Sequence, residues 1–171
     1  GEKPYIMATV GEDFSEYRDW LESKGIHTGG MKVVPGVFTA SYFCNTDQSN
    51  AQIASFYPGA MGYATQLSFR QWEGEKPDLV VISPNDPAAM RQYVAECHEL
   101  GVPYLYDPSQ QIVRMTGAEL KEGIEGAFAL FVNDYEFGLV QKMTDMSTEE
   151  LFRHVRILVV TQGEKGSTIY V

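Results

Sequence analysis

The chain has 171 residues, 44% hydrophobic and 21% charged, a balance that suits a globular domain long enough to bury a core without disulfides or metals. Its 13 basic and 23 acidic side chains leave a formal charge of −10, which repels phosphate backbones and anionic lipid, so no nucleic acid and no membrane surface is expected as a partner. Cys44 and Cys97 have no close spacing, which argues against a disulfide framework or a zinc site. Reduced, buried thiols in a cytoplasmic protein are expected instead. No apolar run approaches the length of a membrane span, and no basic-then-apolar leader opens the chain.

In chain order, Tyr5 to Val10 reads as a strand, and Asp13 is placed to cap a helix carrying Phe14, Tyr17, Trp20 and Leu21 on one face, ended by Gly25. Val37 to Thr46 and Ala51 to Tyr57 read as a hairpin joined by the turn cluster Asp47-Gln48-Ser49-Asn50. Pairing Asp47 with Asn50 sets Phe43 opposite Ala54 and Ser41 opposite Phe56. One face then carries Thr39, Ser41, Phe43, Asn45, Gln52 and Phe56, and the other Phe38, Tyr42, Cys44, Ile53 and Tyr57. A hairpin with aromatics on both faces is unstable alone in water. One face is expected to cover a ligand or the domain and the other to meet a second chain; packing of the hairpin on its own sheet is the alternative.

Beyond the hairpin, strand and helix alternate. Leu79 to Ile82 is a β-branched run suited to a buried parallel strand. Asp86-Pro87 starts a helix with Met90, Tyr93, Val94, Cys97 and Leu100 facing inward, closed by Gly101. Pro103 to Tyr106 is a strand, Thr116 to Gly126 a helix, Phe128 to Val132 a strand and Asp134 to Met143 a helix. Ser147 and Glu150 form a capping box before the next helix, and Arg156 to Val160 is a strand again. The alternation predicts an α/β fold with a doubly wound, mostly parallel sheet. Ligands of such sheets sit beyond the carboxyl ends of the strands. The chain stops inside the apolar run Thr168 to Val171, which reads as a strand cut short.

Two segments at strand ends carry candidate chemistry. Asn133-Asp134-Tyr135-Glu136 follows one strand, and its first and last side chains share one face at a helix start. A carboxylate there can hold a magnesium ion through water; the same pattern is also that of a helix cap. Thr161-Gln162-Gly163-Glu164-Lys165-Gly166 follows the next strand. Its glycines let backbone N–H groups approach an anion, or form a plain hairpin turn. Asn85 and Asp107 also follow strands and can touch phosphate, metal or substrate, or cap the next turn. His27, His98 and His154 lie in helix or loop settings without a second ligand at metal spacing and read as structural.

Asn-x-x-Glu after one strand and Thr-x-Gly-x-x-Gly after the next together resemble the PfkB/ribokinase family of carbohydrate and nucleoside kinases. The hairpin continuing into Pro58-Gly59-Ala60-Met61 resembles that family's lid, and Asn45-Thr46-Asp47 with Gln52 to Met61 is most similar to bacterial adenosine and nucleoside kinases. The resemblance implies a ribokinase-like core of residues 1–36 and 62–171 and a lid of residues 37–61. It implies ATP and Mg²⁺ as cofactors and a sugar or nucleoside as the acceptor of the γ-phosphate. Asn133 and Glu136 would organise the metal, Thr161, Gly163 and Gly166 would line the phosphates, and Phe43 and Phe56 would flank a nucleobase or sugar. A homodimer through the lids is a further expectation. The family's Gly-Ala-Gly-Asp, whose aspartate is the general base, does not occur in these residues. The chain therefore reads as an internal piece without its own catalytic base. The rivals are a non-catalytic nucleotide- or sugar-binding α/β module and a dinucleotide oxidoreductase; against the latter, no Gly-x-Gly-x-x-Gly opens a helix after a strand.

Overall fold

The computed structural model describes residues 4–49 and 52–171, and the chain divides into two compact units, Gly1–Leu67 and Ser68–Val171. In the first unit, β1 (Tyr5–Val10) leads through α1 (Ser15–Ser23) to β2 (His27–Val33), which pairs parallel with β1. Val10, Phe14 and Leu21 form its small core, with Ile6, Ile26 and Met31 packed on it. β2 lacks the apolar run that marks a strand, since His-Thr-Gly-Gly-Met-Lys-Val alternates nothing; its pairing with β1 decides its conformation. His27 therefore sits in a strand, stacked on Tyr5, and not in a loop or helix.

Two expectations at α1 are corrected. Its N-cap is Phe14 without a side-chain hydrogen bond, because the Asp13 carboxylate accepts from the backbone and hydroxyl of Thr39 instead. The amphipathic face is also narrower than its spacing suggests: Phe14 and Leu21 are buried, whereas Tyr17 and Trp20 stack on each other about half exposed.

The hairpin is β3 (Ser41–Thr46) with β4 (Gln52–Tyr57), antiparallel and outside any larger sheet. Its register pairs Ser41 with Tyr57, Tyr42 with Phe56 and Phe43 with Ser55, one residue away from the expected pairing. The expected Asp47–Asn50 pair lies partly outside the described residues, as does Ala51, the expected first residue of β4. Within the loop, Asp47 accepts from the amide and hydroxyl of Ser49. The one-residue difference moves every side chain of one strand to the other face relative to its partner strand. Phe43 shares a face with Ile53 and Tyr57, and Phe56 shares the opposite face with Tyr42, Cys44 and Ala54. Phe43 and Phe56 therefore cannot sandwich a ligand from one side. Cys44 is exposed rather than buried, and Cys97 is buried as expected; burial, with Glu96 adding to it, pushes the Cys97 thiol up to about 12 and keeps it neutral.

The second unit holds the five-stranded sheet, in the order β5 (Val80–Ile82), β6 (Tyr104–Tyr106), β7 (Ala129–Asn133), β8 (Ile157–Thr161) and β9 (Ser167–Tyr170). The first four are parallel and β9 is antiparallel, so the mostly parallel α/β sheet expected from the alternation is present. Strand order follows chain order throughout this unit. One sheet face buries Ile82, Tyr104, Tyr106, Leu130, Val132, Leu158 and Val160. The crossovers are α2 (Pro87–Leu100), α3 (Gly117–Ile124), α4 (Asp134–Thr144) and α5 (Thr148–His154). They bring Met90, Val94, Cys97, Leu120, Ile124, Val140 and Leu151 into this core; Leu100, expected inward, is partly exposed at the end of α2.

Local signals fix the helix ends. Asp86 caps α2 through the amides of Ala88 and Ala89, with Pro87 at the first position, and Gly101 ends it in the left-handed region at φ 60°. Capping boxes start α3 (Thr116 with Glu119), α4 (Asn133 with Glu136) and α5 (Ser147 with Glu150). Before β5, the buried Glu96 of α2 accepts hydrogen bonds from Ser68 Oγ, Phe69 N, Arg70 Nη1 and Gln92 Nε2, which ties the 3₁₀ turn Phe69–Gln71 to the helix. Among the described residues no helix is long and apolar enough to cross a membrane.

Candidate active site at the carboxyl ends of the strands

The second unit places the expected Asn85, Asp107, Asn133, Glu136, Thr161, Gly163 and Gly166 at or just after the carboxyl ends of its strands. Asn133, the last residue of β7, is the register partner of Thr161, the last residue of β8. The Asn-x-x-Glu and Thr-x-Gly-x-x-Gly segments thus leave neighbouring parallel strands side by side. Asp107 follows β6, the strand on the other side of β7. Asn85 follows β5 at the sheet edge; its side chain accepts from the Asp86 amide and so shapes the start of α2.

Asn133 and Glu136 form the reciprocal capping box. Asn133 Oδ1 accepts from the Glu136 amide at 2.7 Å, and Glu136 Oε2 accepts from the Asn133 amide at 2.8 Å. The other carboxylate oxygen, Oε1, accepts from the Ser109 hydroxyl at 3.3 Å. Capping and metal holding do not exclude each other, because the cap fixes the carboxylate at the strand end and each oxygen retains a second lone pair. Ser109 itself sits at φ 40°, a left-handed conformation that serine seldom adopts. It was not among the sequence candidates; its one local signal is its position just after Asp107-Pro108 at a strand end.

Asp107 is half-buried, and its acid is raised above 3.8 first by burial and then by the negative charge of Glu136. Two carboxylates therefore face the same rim, and the charge of Glu136 disfavours ionisation of Asp107. That donor set, all hard oxygens, fits a divalent cation such as Mg²⁺ bound partly through water.

The segment after β8 is a tight connection to β9. Gly163 (φ 57°) and Gly166 (φ 88°) both need the left-handed region. The turn's hydrogen bonds employ the amides of Gln162, Lys165 and Gly166, so the segment forms the glycine hairpin turn of the two readings. Two of the histidines have packed side chains: His98 meets the Tyr104 hydroxyl at 3.2 Å, and His27 stacks on Tyr5.

In the first unit, Gly11 N donates to Thr39 Oγ1 at 2.9 Å, and Thr39 N and Oγ1 donate to Asp13 Oδ1 at 2.8 and 2.7 Å. The Thr39 hydroxyl is the main cause, and its amide the next, of an Asp13 acid held below the usual aspartate value.

The whole chain, residues 1–171, matches the pfkB family carbohydrate kinase model. It is 28% identical over 174 residues to a nucleoside kinase of Methanothermobacter thermautotrophicus, covering 99% of this chain and 56% of that protein. The solved nucleoside kinase of Burkholderia thailandensis in complex with inosine superposes with a TM-score of 0.92 at 34% identity, over 97% of this chain and 55% of that one. The Methanocaldococcus jannaschii nucleoside kinase, described as an archaeal member of the ribokinase family, superposes with a TM-score of 0.90 at 25% identity, covering 100% and 56%. The chain spans about half the length of the relatives it matches. With its ribokinase-like fold, it belongs to the pfkB family of carbohydrate kinases.

Proposed function

We propose that the protein this chain represents transfers the γ-phosphoryl group of ATP to the hydroxymethyl group of a nucleoside or related sugar, in the cytoplasm. The acceptor oxygen forms a bond to the γ-phosphorus as the bond to the β,γ-bridging oxygen breaks, and the hydroxyl proton goes to a general base. The observation that carries this reading is the pairing of Asn133 with Thr161 at the ends of β7 and β8, which sets the two turns against each other at one sheet rim. The nucleoside kinase relatives, one of them in complex with inosine, favour a nucleoside acceptor.

In this reading, Glu136 and Asn133 hold Mg²⁺ through water, with Asp107 adding negative charge beside them. The metal supplies charge neutralisation for the transferring phosphoryl group. Thr161 contributes a hydroxyl, and Gly163 and Gly166 allow the backbone to approach the phosphates without a Cβ in the way. Ser109 steadies the second oxygen of Glu136. Asn85 shapes the rim at β5. Residues 37–61 form a lid that closes over the acceptor and excludes water.

The register of the hairpin divides the lid's work between its faces. Tyr42 lies directly opposite Phe56 and shares a face with the small side chains Cys44 and Ala54; this aromatic pair is the face we assign to the acceptor's base. Phe43, Ile53 and Tyr57 make the face we assign to a second copy of the chain. Gly-Ala-Gly-Asp is absent from the 171 residues, so we infer that these residues alone do not turn over.

The test is a phosphoryl-transfer assay with ATP, with and without Mg²⁺, on a panel of nucleosides and sugars. The 171-residue chain and the complete open reading frame that encodes it are compared. Metal-dependent phosphorylation of a nucleoside by the complete product, and none by the 171 residues, is expected. Binding of nucleotide or nucleoside without turnover by the complete product would instead identify a non-catalytic binding module.

A further inference from the structure

The strands of the hairpin are exposed on both faces, but its two legs are not free. The entry leg, 37–39, receives Glu12 N at the Val37 carbonyl (3.2 Å), and Thr39 carries the three hydrogen bonds to Gly11 and Asp13. The Glu12 carboxylate accepts from the Gly36 amide at 3.0 Å. The exit leg, 58–60, is joined to the entry leg by Ala60 N donating to the Phe38 carbonyl at 2.9 Å. It is joined to β1 by the buried Thr9 hydroxyl donating to the Ala60 carbonyl at 2.6 Å. Both legs are thus tied to Thr9–Asp13, the end of β1 and the segment that follows it. Two glycines permit this closeness: a Cβ on Gly11 would strike the backbone of Val37, Phe38 and Thr39, and a Cβ on Gly59, itself at φ 46°, would strike the Phe38 carbonyl oxygen.

Within that junction the bonds are of two kinds. The Thr9 to Ala60 bond is buried. The Asp13 to Thr39 pair is exposed, so water competes for both partners and the bonds can open and re-form without dismantling the core. A charged acceptor strengthens them while closed. Asp13 does not cap α1, whose N-cap Phe14 has no side-chain hydrogen bond. Its carboxylate accepts from the leg of the hairpin.

We infer that Asp13 is a positioning residue: through Thr39, its carboxylate latches the entry leg of the hairpin onto the segment after β1 and sets the angle at which the lid meets the acceptor. This rests on the reading of residues 37–61 as the lid. The latch itself is a property of the first unit and is testable without any catalysis.

Hydrogen exchange of the 171-residue chain reads the latch. Thr39→Val removes the hydroxyl that joins Gly11 to Asp13, Asp13→Ala removes the acceptor, and Thr39→Ser keeps the hydroxyl. Thr39→Val and Asp13→Ala are expected to speed exchange of the Ser41–Thr46 and Gln52–Tyr57 amides by about tenfold. The β1 and β2 amides should keep wild-type rates and Thr39→Ser should restore the hairpin. Equal acceleration in β1 and β2, or unchanged hairpin exchange, would overturn the latch. In the complete open reading frame, the same two variants should raise nucleoside KM by about tenfold while kcat stays within about twofold. A faster-exchanging hairpin with unaltered nucleoside KM would overturn the positioning role while leaving the kinase reading in place. An inactive wild-type enzyme on every acceptor would instead defeat the kinase reading.

Discussion

Glu136 is the residue on which structure and chemistry are hardest to separate, and two substitutions separate them. Its Oε2 accepts from the Asn133 amide at 2.8 Å and its Oε1 from the Ser109 hydroxyl at 3.3 Å. Glu136→Ala removes both acceptors and half of the capping box, a loss of about 1 kcal/mol for a partly exposed cap. For a unit of this size that corresponds to a fall of about 4–8 °C in melting temperature. Glu136→Gln keeps an acceptor within reach of the Asn133 amide and should stay within about 0.5 kcal/mol of wild type. Both substitutions remove the negative charge at the sheet rim, so both should lower kcat by about a hundredfold or more if that charge organises the metal. Thermal unfolding of the 171-residue chain reads the first effect, and coupled ADP release by the complete open reading frame reads the second. A Glu136→Gln variant with wild-type kcat would refute the metal-holding role and leave Glu136 as a helix cap. A Glu136→Gln variant as unstable as Glu136→Ala would refute the partition.

Asp107 is raised by burial and by Glu136, so the native state holds its proton more tightly than the unfolded chain does. Stability should therefore fall as pH rises from 3.8 upward through the native value; Asp107→Asn should flatten that slope in urea titrations across the acid range. A Cβ at Gly123 would strike the ring of the buried Tyr106, so Gly123→Ala should cost about 1–3 kcal/mol in denaturant unfolding. Glu96→Ala strips the partners from Ser68, the Phe69 amide, Arg70 and Gln92 and should cost about 1–3 kcal/mol, read in the same assay. The faces of the hairpin part company in kinetics and hydrodynamics. Phe56→Ala should raise nucleoside KM by about tenfold through lost stacking. Phe43→Ala should leave KM alone and shift sedimentation of the complete product toward the monomer.

The second unit was legible because its signals are local. The runs at β5, β7 and β8, the Asp86-Pro87 start, Gly101 and the Ser147–Glu150 box each announce an element within a few residues. The strand-end motifs were legible for the same reason, and the register that sets Asn133 beside Thr161 follows once both strands are parallel neighbours. The first unit resisted because distant partners decide it. β2 is a strand by virtue of pairing with β1, not by its own residues. Asp13 looked like a helix cap because an aspartate one residue before an apolar run has that local meaning, whereas its partner Thr39 lies 26 residues away. The hairpin ladder pairs Thr46 with Gln52, one residue off the register of a turn closed by Asp47 and Asn50, and that shift puts Phe43 and Phe56 on opposite faces. Ser109 escaped notice because a hydroxyl that supports a carboxylate 27 residues on leaves no pattern in the chain.

In the proposed kinase, the turns after β7 and β8 face one metal–triphosphate together. Paramagnetic broadening by Mn²⁺–ATP in the isotope-labelled complete product tests this arrangement. The amides of Glu136 and of Gly163 should both broaden on titration and recover when excess Mg²⁺ displaces the manganese. Broadening confined to one turn, or to neither while ATP is bound, would contradict it.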